Sequence, residues 1–276
     1  MIPKIIHYCW FGGNPLPQSA IKCINSWKKF FPDYEIKEWN EDNFDVNIIP
    51  YTAEAYQAKK YAFVSDYARF WILYHHGGLY FDTDVEVIKP MDDIIAKGNF
   101  MGREAGGSMR EICKDIYEVN NTLPLGHGQG ISPGLGLGVA PGLGLGVAPG
   151  LGLYKEILDF YATLSFVNPD GSLNTHTVVE YTSSILLKHN IPDDNDNPVE
   201  VEGVWVYPAD VFCPMDHTKG NVLNITSRSV SIHHYDCSWL DKNTTSYKLH
   251  ILKNELSKIF GAKIISTLAN IIKGRY

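Results

Sequence analysis

Asp82 and Asp84 stand two residues apart in the run Gly77 to Val87, which reads G-G-L-Y-F-D-T-D-V-E-V. The glycine pair ends one element, and an apolar strand follows at once. Residues two apart in an extended strand point to the same side. Two carboxylates at the mouth of a sheet make a hard-oxygen site for a divalent cation, with positions left open for phosphate oxygens. Such a site can hold a nucleoside diphosphate and neutralise it as a leaving group. Just upstream, Asp66 and Arg69 are three apart on an expected helix and share a face. Beside a cation, that pair can hydrogen-bond the hydroxyls of a polar ligand; alone, it reads as a structural ion pair.

The elements that must position these residues are legible as a pattern. Ile2 to Trp10 reads as a buried strand followed by a Gly-Gly loop. Ser19 to Phe31 has helical spacing, with Ile21, Ile24, Trp27 and Phe31 on one side. Tyr34 to Trp39 alternates like a strand, and Thr52 to Tyr61 is a candidate helix. Ser65 to His76 is a stronger one, with Ser65 as expected N-cap and Gly77-Gly78 as the stop. Leu79 to Phe81 returns as a strand. This order predicts an α/β fold with a mixed, mostly parallel central sheet and flanking helices. Further on, Lys155 to Ser165 reads as a helix, Asp193 to Asn197 as an acidic turn, and Val199 to Val206 and Val230 to His234 as strands.

The 276 residues carry 45% hydrophobic and 20% charged side chains, enough for a real core in a soluble domain. A net charge of −7 provides no basic field for nucleic acid. The 5 cysteines, Cys9, Cys23, Cys113, Cys213 and Cys237, are scattered and include no C-x-x-C. That favours a reducing compartment over disulfides or a zinc site. Neither a signal peptide nor a membrane span is expected. Residues 1–246 are expected to form one domain and residues 247–276 an amphipathic, lysine-biased helical tail. Such a tail could touch an anionic membrane face or pack on its own domain. Pro133 to Ala140 reads P-G-L-G-L-G-V-A, and Pro141 to Ala148 repeats it without change. The expectation is a duplication that lengthens a loop or a strand edge. A phosphate-binding P-loop is disfavoured because no G-K-[ST] follows.

The run S-D-Y-A-R-F-W-I-L-Y-H-H-G-G-L-Y-F-D-T-D-V resembles the sugar-binding region with DXD motif of glycosyltransferase family 32. The opening I-P-K-I-I-H-Y-C-W-F-G-G and the late H-H-Y-D-C-S-W are similar to that family's first strand and C-terminal signature. The resemblance includes bacterial capsular-polysaccharide transferases and, distantly, the large clostridial glucosylating toxins. It implies a GT-A-like single-domain fold and a metal-dependent retaining glycosyltransferase. The donor would be a nucleotide sugar, UDP-linked, and the hexose would pass to an oligosaccharide or lipid-linked glycan acceptor in surface-polysaccharide assembly. The cysteine usage and the tail lead to an expected cytoplasmic location, with the inner membrane face as an option.

Carried onto this chain, the resemblance gives Trp10 a stacking role on the base and Asp66 and Arg69 a grip on the donor sugar. Tyr80 and Asp82 would lie against the donor, with Asp82 reaching the metal through water. Asp84 would ligate Mn²⁺ or Mg²⁺ directly, and His234 or its neighbour His233 would approach the metal. Ser238 and Trp239 would close over the diphosphate. Without the resemblance, Trp10 reads as core and the paired histidines as a strand-edge feature.

Other classes fit less well. A haloacid-dehalogenase-type phosphatase needs Thr or Val where this chain has Glu86, and a calcium loop needs glycine where it has Val87. A non-catalytic nucleotide-sugar-binding protein remains the alternative.

Overall fold

Ile5–Cys9 forms the first strand, β1, and all but its first residue are buried. An apolar run buried on both faces suits the interior of a parallel sheet. The computed structural model describes residues 1–104, 113, 138–192, 196–216 and 222–236. Helix α1 (Gln18–Phe30) buries Ala20, Cys23, Ile24 and Trp27, and Trp27 Nε1 donates to Val85 O at 2.8 Å. Of the expected stripe, Ile24, Trp27 and Phe31 are buried, while Ile21 is 37% exposed and Ala20 and Cys23 are buried in its stead. Strand β2 (Glu35–Trp39) pairs parallel with β1. A short helix, α2 (Pro50–Gln57), leads into α3 (Tyr61–His76).

Helix α3 starts four residues earlier than expected. Ser65 is not its cap; its hydroxyl turns back to Tyr61 O at 3.2 Å inside the helix. The Gly77-Gly78 stop holds. Gly78 sits at φ +103°, and a β-carbon there would stand 2.7 Å from Ile5 O. Only glycine lets the chain fold back against β1 at this point.

Strands β3 (Gly78–Tyr80) and β4 (Val85–Val87), helix α4 (Asp92–Lys97) and strand β5 (Phe100–Gly102) follow. Then come β6 (Leu145–Val147), α5 (Gly152–Tyr161), α6 (Val178–Lys188), β7 (Val199–Val201), β8 (Val204–Tyr207) and α7 (Ala209–Phe212). Two short strands, β9 (Met215–Asp216) and β10 (Val222–Leu223), pair together, and β11 (Ser231–His233) pairs antiparallel with β4. The run expected as one strand from Val199 to Val206 is thus a hairpin, turned at Glu202-Gly203, where both residues have positive φ.

Among the described residues, a seven-stranded sheet runs in the order β2-β1-β3-β6-β5-β8-β7. Strands β2, β1, β3, β5 and β8 point one way, and β6 and β7 the other. This is the mixed, mostly parallel, helix-flanked α/β sheet that the order of elements in the sequence predicts. The faces alternate as the pleat demands. Tyr80 and Met101 join the core beneath α2, α3, α5 and α6, while Leu79, Phe81 and Phe100 join the core beneath α1 and α7.

The octapeptide repeat corrects an expectation. Its second copy supplies β6, the middle strand of the sheet, rather than a loop or an edge. Leu143, Leu145 and Val147 are buried. A β-carbon on Gly146 would stand 2.1 Å from Phe100 Cε1, so the glycine makes room for a ring lying on the strand. Low strand propensity hid a core element whose volume is filled by neighbouring aromatics. The tail from residue 247 to 276 lies outside the described residues, as do residues 193–195 of the expected acidic turn. Among the described residues, no helix is long and apolar enough to cross a membrane.

Candidate active site

Helix α3 puts Asp66 and Arg69 on one face, as the spacing requires. Arg69 Nη2 donates to Asp66 Oδ1 at 2.8 Å, Nη1 to Asp82 Oδ2 at 3.3 Å, and Nε to Ser65 O at 3.0 Å. The guanidinium is thereby fixed between two carboxylates with only 4% of the side chain exposed. The Tyr80 hydroxyl donates to Asp82 Oδ1 at 3.0 Å, and its ring lies beneath Arg69 at 5.1 Å. Four of the expected residues, Asp66, Arg69, Tyr80 and Asp82, therefore meet in one cluster.

The geometric reason given for Asp82 and Asp84 needs correction. Strand β3 ends at Tyr80, and the aspartates do not share a face of an extended strand. They flank a tight turn closed by Val85 N–H to Asp82 O at 3.0 Å. The ladder continues for one more bond, Asp82 N–H to Gly142 O at 3.0 Å, and then the chain turns away. Asp82 faces Arg69. Asp84 faces the end of β11, where His233 Nε2 lies 3.1 Å from Oδ1 and the Asp236 N–H donates to Oδ2 at 3.0 Å.

Of the paired histidines, His233 is the one against Asp84. His234 turns its Nε2 to Glu86 Oε2 at 2.9 Å, an oxygen that also accepts from Lys22 Nζ at 3.0 Å. His234 stays close through its backbone, whose N–H donates to Asp84 O at 3.0 Å. Trp10 lies half-buried just past the end of β1, its indole N–H bonded to Asn14 O at 2.6 Å. Ser238 and Trp239 lie outside the described residues.

Burial and charge set the protonation of the cluster. Burial raises the Asp66 carboxyl to about 7, against the pull of Arg69 and with the help of nearby Asp82. Burial would also raise Asp84, but His233 and the Asp236 amide outweigh it and hold the carboxyl below its usual range. In turn, Asp84 overcomes burial and lifts His233 well above the ordinary histidine value, which makes an imidazolium–carboxylate pair. Burial raises Glu104, just past β5, to about 7, with His233 and the Tyr235 hydroxyl pulling the other way.

Asp82, Glu104 and Trp10 all follow the carboxyl ends of like-directed strands, where open α/β sheets bind ligands. The sequence reading missed Glu104, Tyr235 and Gly142. Glu104 sits in no motif. Tyr235 lies inside H-H-Y-D-C-S-W, whose histidines drew attention first. Gly142 was masked by the repeat.

A divalent cation would be held by Asp82 and Asp84, whose side chains are 28% and 18% exposed. Their hard oxygens suit Mg²⁺ or Mn²⁺, and each carboxylate oxygen retains a lone pair beyond the bonds described. Among the described residues, no group of three His, Cys, Asp or Glu gathers as a ready cage. Phosphate oxygens and water would complete the shell, as is usual for Mg²⁺. The residues present fit such an ion.

The chain is similar to several known proteins. Inositol phosphoceramide mannosyltransferase 1 of Schizosaccharomyces pombe is 30% identical over 111 residues, covering 36% of this chain and 33% of the relative. A protein named uncharacterized glycosyltransferase L373 of Acanthamoeba polyphaga mimivirus is 35% identical over 106 residues, covering 36% of this chain and 42% of its own. The chain thus spans well under two thirds of the length of these curated relatives. Among solved structures, PaToxG glycosyltransferase superposes with a TM-score of 0.43 at 19% identity, covering 68% of this chain and 69% of that one. Residues 17–101, which carry Asp66, Arg69, Tyr80, Asp82 and Asp84, match the family described as glycosyltransferase sugar-binding region containing DXD motif.

Proposed function

We propose that this chain is a divalent-metal-dependent, retaining glycosyltransferase that moves a hexose from a nucleoside diphosphate to a glycan acceptor. Surface-polysaccharide assembly is the setting the family resemblance suggests. The observation that carries the reading is the Arg69 guanidinium, buried and fixed between Asp66 and Asp82, one turn from Asp84. A bound Mg²⁺ or Mn²⁺ would neutralise negative charge on the departing diphosphate.

The chain's own residues do the rest. Arg69 keeps its charge, because Asp82, Tyr80 and Asp66 together outweigh the cost of burying it. A guanidinium already locked in place stabilises developing anionic charge without reorganising. Asp66, with its carboxyl near 7, can accept or donate a hydrogen bond to a sugar hydroxyl at neutral pH. Tyr80 and Arg69 fix both oxygens of Asp82, so that carboxylate meets a ligand in one orientation. Trp10 offers a ring at the end of β1 for a base. The names of the fungal relatives favour mannose among the hexoses, and their acceptors by name are sphingolipids.

A donor-hydrolysis screen tests the reading, because slow hydrolysis requires no acceptor. UDP-glucose, UDP-galactose, UDP-N-acetylglucosamine and GDP-mannose are incubated with the protein and Mn²⁺. Hydrolysis of one donor, stopped by chelation, is expected. Calorimetric binding with no turnover of any donor, with or without an acceptor glycan, would assign the chain to the non-catalytic binders instead.

A further inference from the structure

The segment that reaches Asp84 from the far end of the chain bends through an unusual residue. Tyr235 has φ +52°, a left-handed conformation that a bulky side chain keeps only where its surroundings enforce it. The bend has a consequence on each side. Before it, His233 pairs with Val85 in the β11–β4 ladder and its ring meets Asp84. After it, the Asp236 N–H is aimed at Asp84 Oδ2. Both oxygens of one carboxylate are therefore held by residues on either side of a single strained turn.

The Tyr235 side chain is anchored on three sides. Its hydroxyl lies 3.2 Å from Glu104 Oε2 and 3.2 Å from Cys213 Sγ. Its ring packs on the His233 imidazole with centroids 4.0 Å apart. Glu104 is itself buried and tied to the sheet, its N–H donating to Gly138 O at 3.0 Å. The anchor therefore leads back to the end of β5, a rigid element unconnected in sequence to either aspartate.

We infer that Tyr235 and Glu104 form a latch that positions Asp84 by holding the 233–236 turn in its left-handed form. Neither residue is given contact with substrate; both act through Asp84. The role as metal-site support rests on the proposed function, whereas the latch on the Asp236 amide does not.

The test uses the full chain with three variants. Tyr235→Phe keeps the ring on His233 and removes only the hydroxyl. Glu104→Ala removes the acceptor, and Glu104→Gln restores one. In metal-free protein, exchange of the Asp236 amide should speed up about tenfold in Tyr235→Phe and Glu104→Ala, and stay near wild type in Glu104→Gln. Calorimetric titration with MnCl₂ should show about tenfold weaker binding by Tyr235→Phe, with melting temperature little changed. Wild-type exchange at Asp236 in Tyr235→Phe would overturn the latch. Failure of the wild-type chain to bind Mn²⁺ would instead count against the proposed function, and the exchange rates would still decide the latch.

Discussion

Gly142 backs directly onto the carboxylate of Asp82. A β-carbon at Gly142 would stand 1.8 Å from Asp82 Oδ2 and 3.2 Å from Arg69 Nη1. The turn that leads into the middle strand of the sheet thus reaches the site through a glycine, whose carbonyl also receives the Asp82 N–H.

Gly142→Ala should therefore damage the site more than the fold. The methyl group must push the Asp82 carboxylate off Arg69 or Tyr80. Donor hydrolysis should fall by roughly tenfold or more, while stability in urea drops by about 1–2 kcal/mol. Activity at the wild-type level would mean that Asp82 is free to move and that its fixed orientation is immaterial.

Asp66→Ala should impair sugar discrimination more than nucleotide binding. Loss of a hydrogen bond to a charged group is worth about 1.5–3 kcal/mol, or roughly ten- to hundredfold in turnover of the preferred donor. UDP affinity, measured by calorimetry, should change far less. Equal loss in both would show that Asp66 serves mainly to hold Arg69.

His7 gives the fold a pH dependence whose sign can be worked out. Trp39 Nε1 donates to His7 Nδ1 at 3.0 Å, so the ring's own proton is on Nε2, facing Gly77 O at 2.9 Å. A second proton would meet the Trp39 N–H head-on. Burial lowers the pKa from 6.5 to about 4 in the fold. The unfolded chain takes up the proton first, so this stabilisation is complete above pH 6.5 and is lost as pH falls toward 4. The amount at stake is about 3 kcal/mol. His7→Phe should flatten the slope of unfolding free energy against pH in that window by up to about 1.4 kcal/mol per pH unit. An unchanged slope would place the effect elsewhere.

Much of this was legible in the sequence where local chemistry and tertiary packing agree. The i,i+3 pair Asp66–Arg69, the Gly77-Gly78 stop and the strand feeding Asp82 all follow from periodicity and backbone sterics. The turn at Asp82–Val85 was not legible, because nothing local distinguishes it from continued strand. Its Asp84 is met by His233 and Asp236, at the end of β11 some 150 residues away. The repeat misled for the opposite reason: its glycines look like punctuation, yet two of them are required by a neighbour, Asp82 at Gly142 and Phe100 at Gly146. Glu104 and Tyr235 gain meaning only together, once β5 and the end of β11 have met.

The most direct measurement is Mn²⁺-dependent hydrolysis of the preferred nucleotide sugar by wild-type protein and by Asp84→Asn, alongside thermal denaturation of both. The prediction is turnover in the wild type, none detectable in the variant at any Mn²⁺ concentration, and a cooperative melting transition in both, lower in the variant because the His233 pair is lost. Wild-type turnover by Asp84→Asn at the same Mn²⁺ concentration would contradict the account.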